Sequence, residues 1–244
     1  RIKIILGVST IFIAAFLKGL TGLGFSTLGL GLLALFMDLK LAIPLVFLPS
    51  LSSNIMVMVE SGRFVEALKR FWPLYLSALP GLMLGIWFLS STQEEAPKAV
   101  LGLSMLLYGL WGLRKGIVQL SSHHEKRLKV PVGLLSGMVN GATGSQLMPI
   151  MPYLLSLKME QKLFVQTINC AFTFNTLVMM VVLGNLGLLT LPVATISAGG
   201  IVPVALGIFL GGRIRQRVSE AFYRKMVLVL LIFLGMNLVA KPFF

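Results

Sequence analysis

The stretch KGLTGLGFS at residues 18–26 interrupts one apolar segment, and SGMVNGATGSQ at residues 136–146 interrupts a second one. In a membrane, backbone polar groups freed by such an interruption are tolerated only where they line a cavity or are buried in protein. Paired interruptions at corresponding places in two halves point to the binding site of a transporter. The two stretches therefore favour a membrane protein built from two related halves that carries a small solute.

The composition excludes the soluble classes of protein. The chain has 244 residues, of which 57% are hydrophobic and only 12% are charged, and its mean hydropathy is +0.92. Nearly uncharged stretches long enough to cross a bilayer recur along it. No signal peptide is expected, because the first apolar segment continues into the first interruption. The single Cys170 excludes an internal disulfide and a cysteine metal cluster.

The net charge of +13 would suggest nucleic acid as the partner of a soluble protein, but its distribution argues against that. Basic residues cluster in short loops between apolar spans, which is typical of loops kept on the cytoplasmic side. No basic face interleaved with aromatic residues is present, so no nucleic-acid partner is expected. The basic clusters are Arg114, Lys115, Lys126, Arg127 and Lys129, and Arg213, Arg215, Arg217, Arg224 and Lys225.

Hydropathy predicts an all-α integral membrane protein in two repeats joined by a cytoplasmic linker. The predicted domains are residues 1–115, the linker 116–130, and residues 131–244. Each repeat is expected to contain a broken helical hairpin followed by three transmembrane helices. The hairpins are placed at 4–37 and 131–157, and the spans at 42–59, 71–89, 97–113, 162–183, 188–210 and 223–240.

The loop charges decide how the hairpins lie. The uncharged loop 184–187 and the acidic loop 90–96 are expected outside. If the segments 131–157, 162–183 and 188–210 all crossed the membrane fully, the second basic cluster would lie outside, opposite the first. Orientation is restored if 131–157 enters the membrane and returns, and the same logic applies to 4–37. Each half then crosses an odd number of times, so the repeats are inverted and both termini lie outside. The alternative is eight spans, with one loop that violates the positive-inside tendency.

At these two interruptions the chain resembles the sulfite exporter TauE/SafE family, also called the 4-toluene sulfonate uptake permease family. In both halves a glycine-rich opening is followed by a proline-containing apolar run and a helix rich in small and polar residues. In the first half these are Pro44, Pro49 and the run SLSSN at 50–54. In the second half they are Pro149, Pro152 and QTINCAFTFN at 166–175. The run of consecutive glycines typical of the family is replaced here by residues 24–26 and 143–145.

The resemblance implies a permease of the cytoplasmic membrane for a small sulfur-containing anion, sulfite or an organosulfonate, that works by alternating access. The alternatives left open are another organic anion such as a carboxylate, or a membrane subunit with no transport role. A helix that starts inside the membrane directs unpaired N–H groups and its positive dipole end at the break, which suits an anion. Such helices are expected to begin near Phe25-Ser26 and Ser145-Gln146.

The predicted substrate-binding residues combine the two breaks with polar side chains in apolar spans. The break glycines Gly19, Gly22, Gly137 and Gly141 could equally serve close helix packing. Lys18 is the one charge expected deep in the membrane, with a substrate role or a snorkelling role left open. The set is Thr21, Gly22, Gly24, Phe25, Ser26, Asn54, Asn140, Gly141, Thr143, Gly144, Ser145, Gln146 and Asn175.

Several classes of chemistry are not expected. All eight acidic residues fall in loops or at span ends, which disfavours a carboxylate proton relay and leaves facilitated diffusion or the substrate's own protonation. The adjacent His123 and His124 lack further ligands for a metal. No nucleophile with a base, and therefore no enzyme, is expected within the spans. We expect no cofactor; the expected partners are a small anion and the lipid bilayer, and an oligomer is compatible with the sequence.

Overall fold

The computed structural model describes residues 2–21, 24–114, 119–215 and 219–240. Within these ranges the regular elements are all α-helices, as the sequence predicts. They are α1 (Ile2–Thr21), α2 (Phe25–Leu33), α3 (Leu39–Ser61), α4 (Phe64–Ser91), α5 (Glu95–Leu113), α6 (Ser122–Thr143), α7 (Ile150–Leu155), α8 (Gln161–Asn185), α9 (Leu191–Gly199), α10 (Ile201–Arg215) and α11 (Glu220–Ala240).

Six segments of the described chain are long and apolar enough to cross a bilayer. They are Leu39–Ser61, Phe64–Ser91, Glu95–Leu113, Gln161–Asn185, Leu191–Ile214 and Ala221–Ala240. Large apolar side chains cover their outer faces: Val59 is 77% exposed and Leu191 is 82% exposed. Large exposed apolar surfaces mark contacts with a membrane or with another protein, and helices of this length and composition indicate a membrane. The prediction of a multi-pass membrane protein is confirmed.

Local sequence explains where the helices begin and end. The Asp38 carboxylate accepts a hydrogen bond of 2.9 Å from the Lys40 N–H and caps α3. Gly62 and Gly144 end α3 and α6 with φ values of 67° and 71°, a left-handed conformation that glycine adopts at little cost.

Two long helix pairs are held by backbone contact at glycines. Along α4 and α6, a Cβ added at Gly137 would overlap the Ala78 carbonyl oxygen. Along α1 and α10, a Cβ added at Gly211 would overlap the Phe16 carbonyl oxygen. In both pairs residue numbers rise together along the interface, so the paired helices run parallel. Small residues permit this close approach in a membrane.

Two further pairs run antiparallel. In the α5–α11 pair, Gly102 faces Leu238 and Gly112 faces Leu228. In the α3–α8 pair, Arg63 follows the end of α3 and forms an ion pair of 2.7 Å with Glu160, which precedes α8. The four pairs each join one half of the chain to the other, so the halves interlock instead of folding side by side.

The second hairpin begins and ends on one side of the molecule. The Leu120 N–H donates to the Ser156 carbonyl at 2.9 Å, and the Tyr153 hydroxyl donates to the Glu125 carbonyl at 2.9 Å. The segment from Ser122 to Ser156 therefore leaves that side of the molecule and comes back to it; its place within the membrane as the hairpin expected for 131–157 stays a prediction. Its first helix starts at Ser122, so the last part of the polar linker is already helical.

One local prediction is wrong. The returning helix of the second hairpin was expected to begin near Ser145-Gln146, but residues 144–149 are not helical and α7 begins at Ile150. Pro149 lies immediately before α7, and a proline within a helix removes a hydrogen bond and clashes with the preceding turn. In the first hairpin the corresponding helix, α2, begins at Phe25 as predicted.

Candidate functional site

Two small cavities lie side by side where the hairpin turns meet α3 and α8, and each has a volume of about 10 Å³. Ser26 and Gln146 line both of them. We call the first the Lys18 cavity; it is lined by Lys18, Gly24, Phe25, Ser26, Thr27, Asn54, Gln146, Leu147, Asn169 and Phe172. We call the second the Asn140 cavity; it is lined by Ser26, Leu30, Ile43, Val46, Phe47, Ser50, Asn140, Gly144, Gln146, Thr176 and Met179.

Lys18 is the main electrostatic feature of the first cavity. It lies in the last turn of α1 and is only 4% exposed. Its Nζ donates to Ser53 Oγ at 2.6 Å and to Asn54 Oδ1 at 2.9 Å. The ion pairs among the described residues do not include Lys18. A buried ammonium held by neutral partners favours an anion beside it, because no carboxylate compensates its charge.

The start of α2 faces the same cavity. Gly24 precedes the helix with φ 86°, and this left-handed turn lets the chain reverse between α1 and α2. Gly24, Phe25, Ser26 and Thr27 line the cavity, so the first turn of α2 borders it. The first N–H groups of a helix lack partners within it and carry the positive end of its dipole.

Neutral polar groups complete the Lys18 cavity. Asn54 is 1% exposed, and its Nδ2 has no partner among the described residues. Asn169, also 1% exposed, donates to the Val165 carbonyl at 2.8 Å. Ser26 Oγ and Ser50 Oγ are 2.8 Å apart and share a hydrogen bond. Asn54 Nδ2 is an unpartnered donor and suits an anion, whereas the unpartnered Oε1 of Gln146, which lines both cavities, is an acceptor.

The Asn140 cavity has no charged residue among the described residues that line it, and it contains unpartnered amide groups. Asn140 is 1% exposed, and neither its Oδ1 nor its Nδ2 has a partner among the described residues. Gln146 Nε2 donates to the Phe172 carbonyl at 3.4 Å and to Thr176 Oγ1 at 3.3 Å, while its Oε1 has no partner there. Buried polar atoms without partners are rare, because each forfeits hydrogen bonds that water would provide.

Seven of the residues predicted to bind substrate line the two cavities. Their burial places them on the inside of the helix bundle, between the two hairpin turns. They are Gly24, Phe25, Ser26, Asn54, Asn140, Gly144 and Gln146.

Two predicted residues do not line the cavities but form hydrogen bonds that hold the hairpin turns. Thr143 Oγ1 donates to the Val139 carbonyl and accepts from the Ser145 N–H at 3.0 Å. Ser145 Oγ and Thr27 Oγ1 are 2.9 Å apart, so one hydrogen bond joins the two hairpins. Both Thr143 and Ser145 are fully buried.

The remaining predicted residues lie elsewhere. Gly141 is packed against the α4 backbone at Leu82, and neither cavity includes it. Asn175 is 5% exposed, with its Oδ1 unpartnered among the described residues, but it does not line either cavity. Thr21 ends α1 and its side chain is not described, and Gly22 lies outside the described residues.

Sequence reasoning left several polar cavity residues out of the predicted set. Lys18 was considered for a substrate role without being included, and the others are Thr27, Ser50, Asn169 and Thr176. The signal that could have found them is their chemistry: each is a polar or charged side chain in an apolar segment. In the described part of the chain, no group of three or more His, Cys, Asp or Glu side chains is arranged to hold a metal.

Comparison with known proteins supports the resemblance seen in the sequence. The family model described as sulfite exporter TauE/SafE matches residues 7–238, which include both hairpin turns and both cavities. No curated protein and no solved structure matches the chain. The match covers nearly the whole chain, and the chain therefore belongs to the sulfite exporter TauE/SafE family of membrane transporters.

Proposed function

We propose that the protein is a permease, not an enzyme, that moves a small sulfur-containing anion of the sulfite or organosulfonate type across the cytoplasmic membrane. The observation that carries the proposal is the Lys18 cavity, where a buried ammonium and the first turn of α2 meet. Sulfite and sulfonate oxygens accept hydrogen bonds, and the cavity offers them Lys18, the unpartnered Asn54 Nδ2 and the N–H groups of α2.

The proposed mechanism is alternating access. A volume of about 10 Å³ holds one water-sized group, which is too little for a sulfonate. Binding therefore requires the helices around the cavity to separate, and closure after binding sequesters the anion. We assign the movement to the two interlocked halves of the chain.

Helix directions support an inverted relation between those halves. If the order of elements in the two halves corresponds, α3 matches α8 and α5 matches α11. A two-fold axis along the membrane normal would leave matched helices parallel, whereas an axis in the membrane plane makes them antiparallel. Both matched pairs run antiparallel. The remaining two pairs exchange under the same operation, because α4–α6 becomes α10–α1.

Loop charges support the proposed orientation. Arg70 forms two hydrogen bonds of 2.9 and 2.8 Å with Glu125, and Lys129 Nζ donates to the Arg70 carbonyl at 2.7 Å. These residues share one side of the molecule with the basic linker, which we place in the cytoplasm. Lys40 contacts the Thr92 carbonyl on the opposite side. We place both chain termini on that outer side.

Cysteine labelling tests the orientation. In a Cys170→Ala background, single cysteines at the exposed Lys126 and Lys158 should both react with a membrane-impermeant reagent from the cytoplasmic side, and a cysteine at Gln93 from the outside. Reaction of the Lys126 and Lys158 positions from opposite sides would overturn the returning hairpin and the inverted repeat with it.

Thermal stabilisation of the purified protein tests the anion site. Sulfite, sulfate, thiosulfate, sulfonates and carboxylates are added to wild type, to Lys18→Met and to the exposed control Lys69→Met. An anion at a hundred times its dissociation constant stabilises the folded state by about 2.7 kcal/mol. We expect a selective response to sulfur oxyanions in wild type and Lys69→Met, and a lost response in Lys18→Met.

The panel also separates the alternatives. A response to carboxylates alone would reassign the substrate class while keeping the site. An equal response in Lys18→Met and wild type would contradict the Lys18 cavity as the binding place. Absence of any response and of any flux in proteoliposomes would favour a membrane subunit with no transport role.

A further inference from the structure

Two cross-half hydrogen bonds define how the repeats align. The Tyr75 hydroxyl on α4 donates to the Thr167 carbonyl in α8 at 3.2 Å. The Ser197 hydroxyl on α9 donates to the Leu45 carbonyl in α3 at 2.9 Å. The same difference in residue number separates Tyr75 from Ser197 and Leu45 from Thr167, so a single shift along the chain superimposes one hydrogen bond on the other. The same shift carries Gly19 onto Gly141, and these glycines lie in the two parallel helix interfaces.

Under that shift the two cavities are counterparts. Lys18 corresponds to Asn140, and the partners of its ammonium, Ser53 and Asn54, correspond to Asn175 and Thr176. The shift gives each residue that lines the Lys18 cavity a counterpart in the other half. Five of these counterparts line the Asn140 cavity: Asn140, Gln146, Thr176, Phe47 and Ser50.

The counterparts differ in charge. Lys18 places an ammonium in the last turn of α1, beside the negative end of that helix dipole. Asn140 occupies the same place near the end of α6, where the structure has a neutral amide whose Oδ1 and Nδ2 both lack partners among the described residues. Gln146 Oε1, on a second residue that lines the cavity, is also buried and without a partner among the described residues. The Asn140 cavity thus contains two unpartnered amide oxygens and, among its described lining residues, no cation.

We propose that the Asn140 cavity binds a monovalent alkali-metal cation, Na⁺, at the place that corresponds to the Lys18 ammonium. Amide oxygens of Asn140 and Gln146 and the carbonyl end of α6 would be its ligands. Hard cations prefer oxygen ligands, and the C-terminal ends of broken helices coordinate Na⁺ in transporters. A volume of about 10 Å³ suits one small ion.

The lining of the cavity selects among cations. Among the described residues that line it there is no carboxylate, which disfavours Mg²⁺ and Ca²⁺. None of those residues titrates near neutral pH, so the cavity itself cannot hold the proton of a proton-coupled carrier.

A cation in this place would couple to the anion site. Ser26 and Gln146 line both cavities, so a bound Na⁺ and a bound anion are close enough to attract each other. Each then raises the affinity of the other by the same factor. Only this coupling rests on the proposed anion permease, because cation binding at the Asn140 cavity stands on its own contacts.

The test is thermal stabilisation of the full chain by NaCl against choline chloride at matched ionic strength, without any sulfur anion. Wild type should show a saturable rise in Tm with Na⁺. Asn140→Lys supplies the ammonium that Lys18 supplies in the first half, so its Tm should no longer respond to Na⁺. Asn185→Ala, an exposed change at the end of α8, should respond as wild type does.

Two results would overturn the proposal: a wild-type Tm that rises equally with Na⁺ and choline, or a full Na⁺ response in folded Asn140→Lys. If Asn140→Lys does not fold, Asn140→Ala replaces it as the test variant. In Asn140→Ala the Na⁺ concentration that gives half-maximal stabilisation should be at least tenfold higher than in wild type. An unchanged concentration contradicts the site. Lys18→Met should keep the Na⁺ response, so failure of the anion proposal remains distinguishable from failure of this one.

Discussion

In the proposed alignment of the two halves, the last turns of α1 and α6 are equivalent positions with different side chains. Lys18 donates hydrogen bonds to two neutral acceptors, Ser53 and Asn54, whereas Asn140 has two buried amide atoms without partners among the described residues. Under the proposed alignment, equivalent backbone positions present an ammonium in one half and an unpartnered amide in the other. The comparison teaches that the backbone determines where polar groups converge, and that single side chains determine which ligand suits each place.

The parallel interfaces of the two halves are by contrast alike. Gly137 contacts the α4 backbone, and Gly211 contacts the α1 backbone, with no room for a side chain in either place. Backbone contact of this kind leaves little freedom to slide. We infer that these pairs move as units while the cavities between them open and close.

The largest effect is expected where the two halves are most alike. Gly137→Ala and Gly211→Ala should each destabilise the folded protein by roughly 3 kcal/mol, because a Cβ overlaps a carbonyl oxygen that only a helix displacement can move. The loss of Tm in detergent measures this effect. Gly212→Ala is the matched control, because a Cβ at that neighbouring position meets nothing within 4 Å.

A large fall in Tm for Gly137→Ala with no fall for Gly211→Ala would show that the two interfaces are not equivalent. Similar falls in Tm for both variants would support their equivalence.

The next effect concerns the start of α6, which ion pairs fix in place. Hydrogen bonds from Arg70 lower the pKa of Glu125 below its ordinary value of 4.5. The ionised Glu125 therefore stabilises the fold fully above pH 4.5, and this contribution is lost as pH falls through the lowered pKa. Glu125→Gln should cost about 2 kcal/mol at pH 7, because charge-assisted hydrogen bonds are lost.

A Tm series from pH 7 to pH 3.5 checks the sign. The difference in Tm between wild type and Glu125→Gln should be constant down to about pH 5 and should become smaller below it. A gap that widens as the pH falls would contradict the assigned role of Arg70. The exposed Glu60→Gln serves as the control.

The third effect turns one cavity into the other. Lys18→Asn gives the first half the side chain of the second, and we expect at least a tenfold loss of anion affinity, which is about 1.4 kcal/mol. Titration of the Tm shift with the best anion of the panel measures it. The double variant Lys18→Asn, Asn140→Lys returns an ammonium to the bundle in the opposite half.

Recovery of anion stabilisation in the double variant would support equivalent cavities, as the inverted relation requires. Wild-type affinity in Lys18→Asn alone would show that the ammonium has no part in anion binding. Lys69→Asn should bind as wild type does, because that side chain is exposed.

The smallest effect is expected at the hydrogen bond that joins the two hairpin turns. Ser145→Ala removes the hydrogen bond to Thr27 Oγ1, at a cost of about 1 kcal/mol for a buried neutral pair. The exposed Ser90→Ala, whose hydroxyl bonds only within its own helix, should change the Tm much less. Equal falls in Tm for both variants would show that the hydrogen bond to Thr27 does not stabilise the fold.

Some local features of the site could be predicted because they depend on residues close in sequence. The Gly24 turn and the start of α2 at Phe25 follow from a glycine-rich break in an apolar segment. The start of α7 could not be placed in the same way, because residues 145–149 fold according to what surrounds them. The returning course of 122–156 was predictable from loop charges, which bias topology before any contact forms.

The sequence by itself determined the membrane environment, the number of long apolar helices, the paired breaks and the family, because hydropathy, charge and glycine content act through composition and short-range order. Only the tertiary structure decided that Gly141 packs against α4 while Lys18 faces a cavity, and that Asn140 lacks partners. A glycine in a helix serves packing or a site according to which helix lies opposite. A polar side chain is satisfied or free according to neighbours that are distant in the chain, and those neighbours exist only after folding.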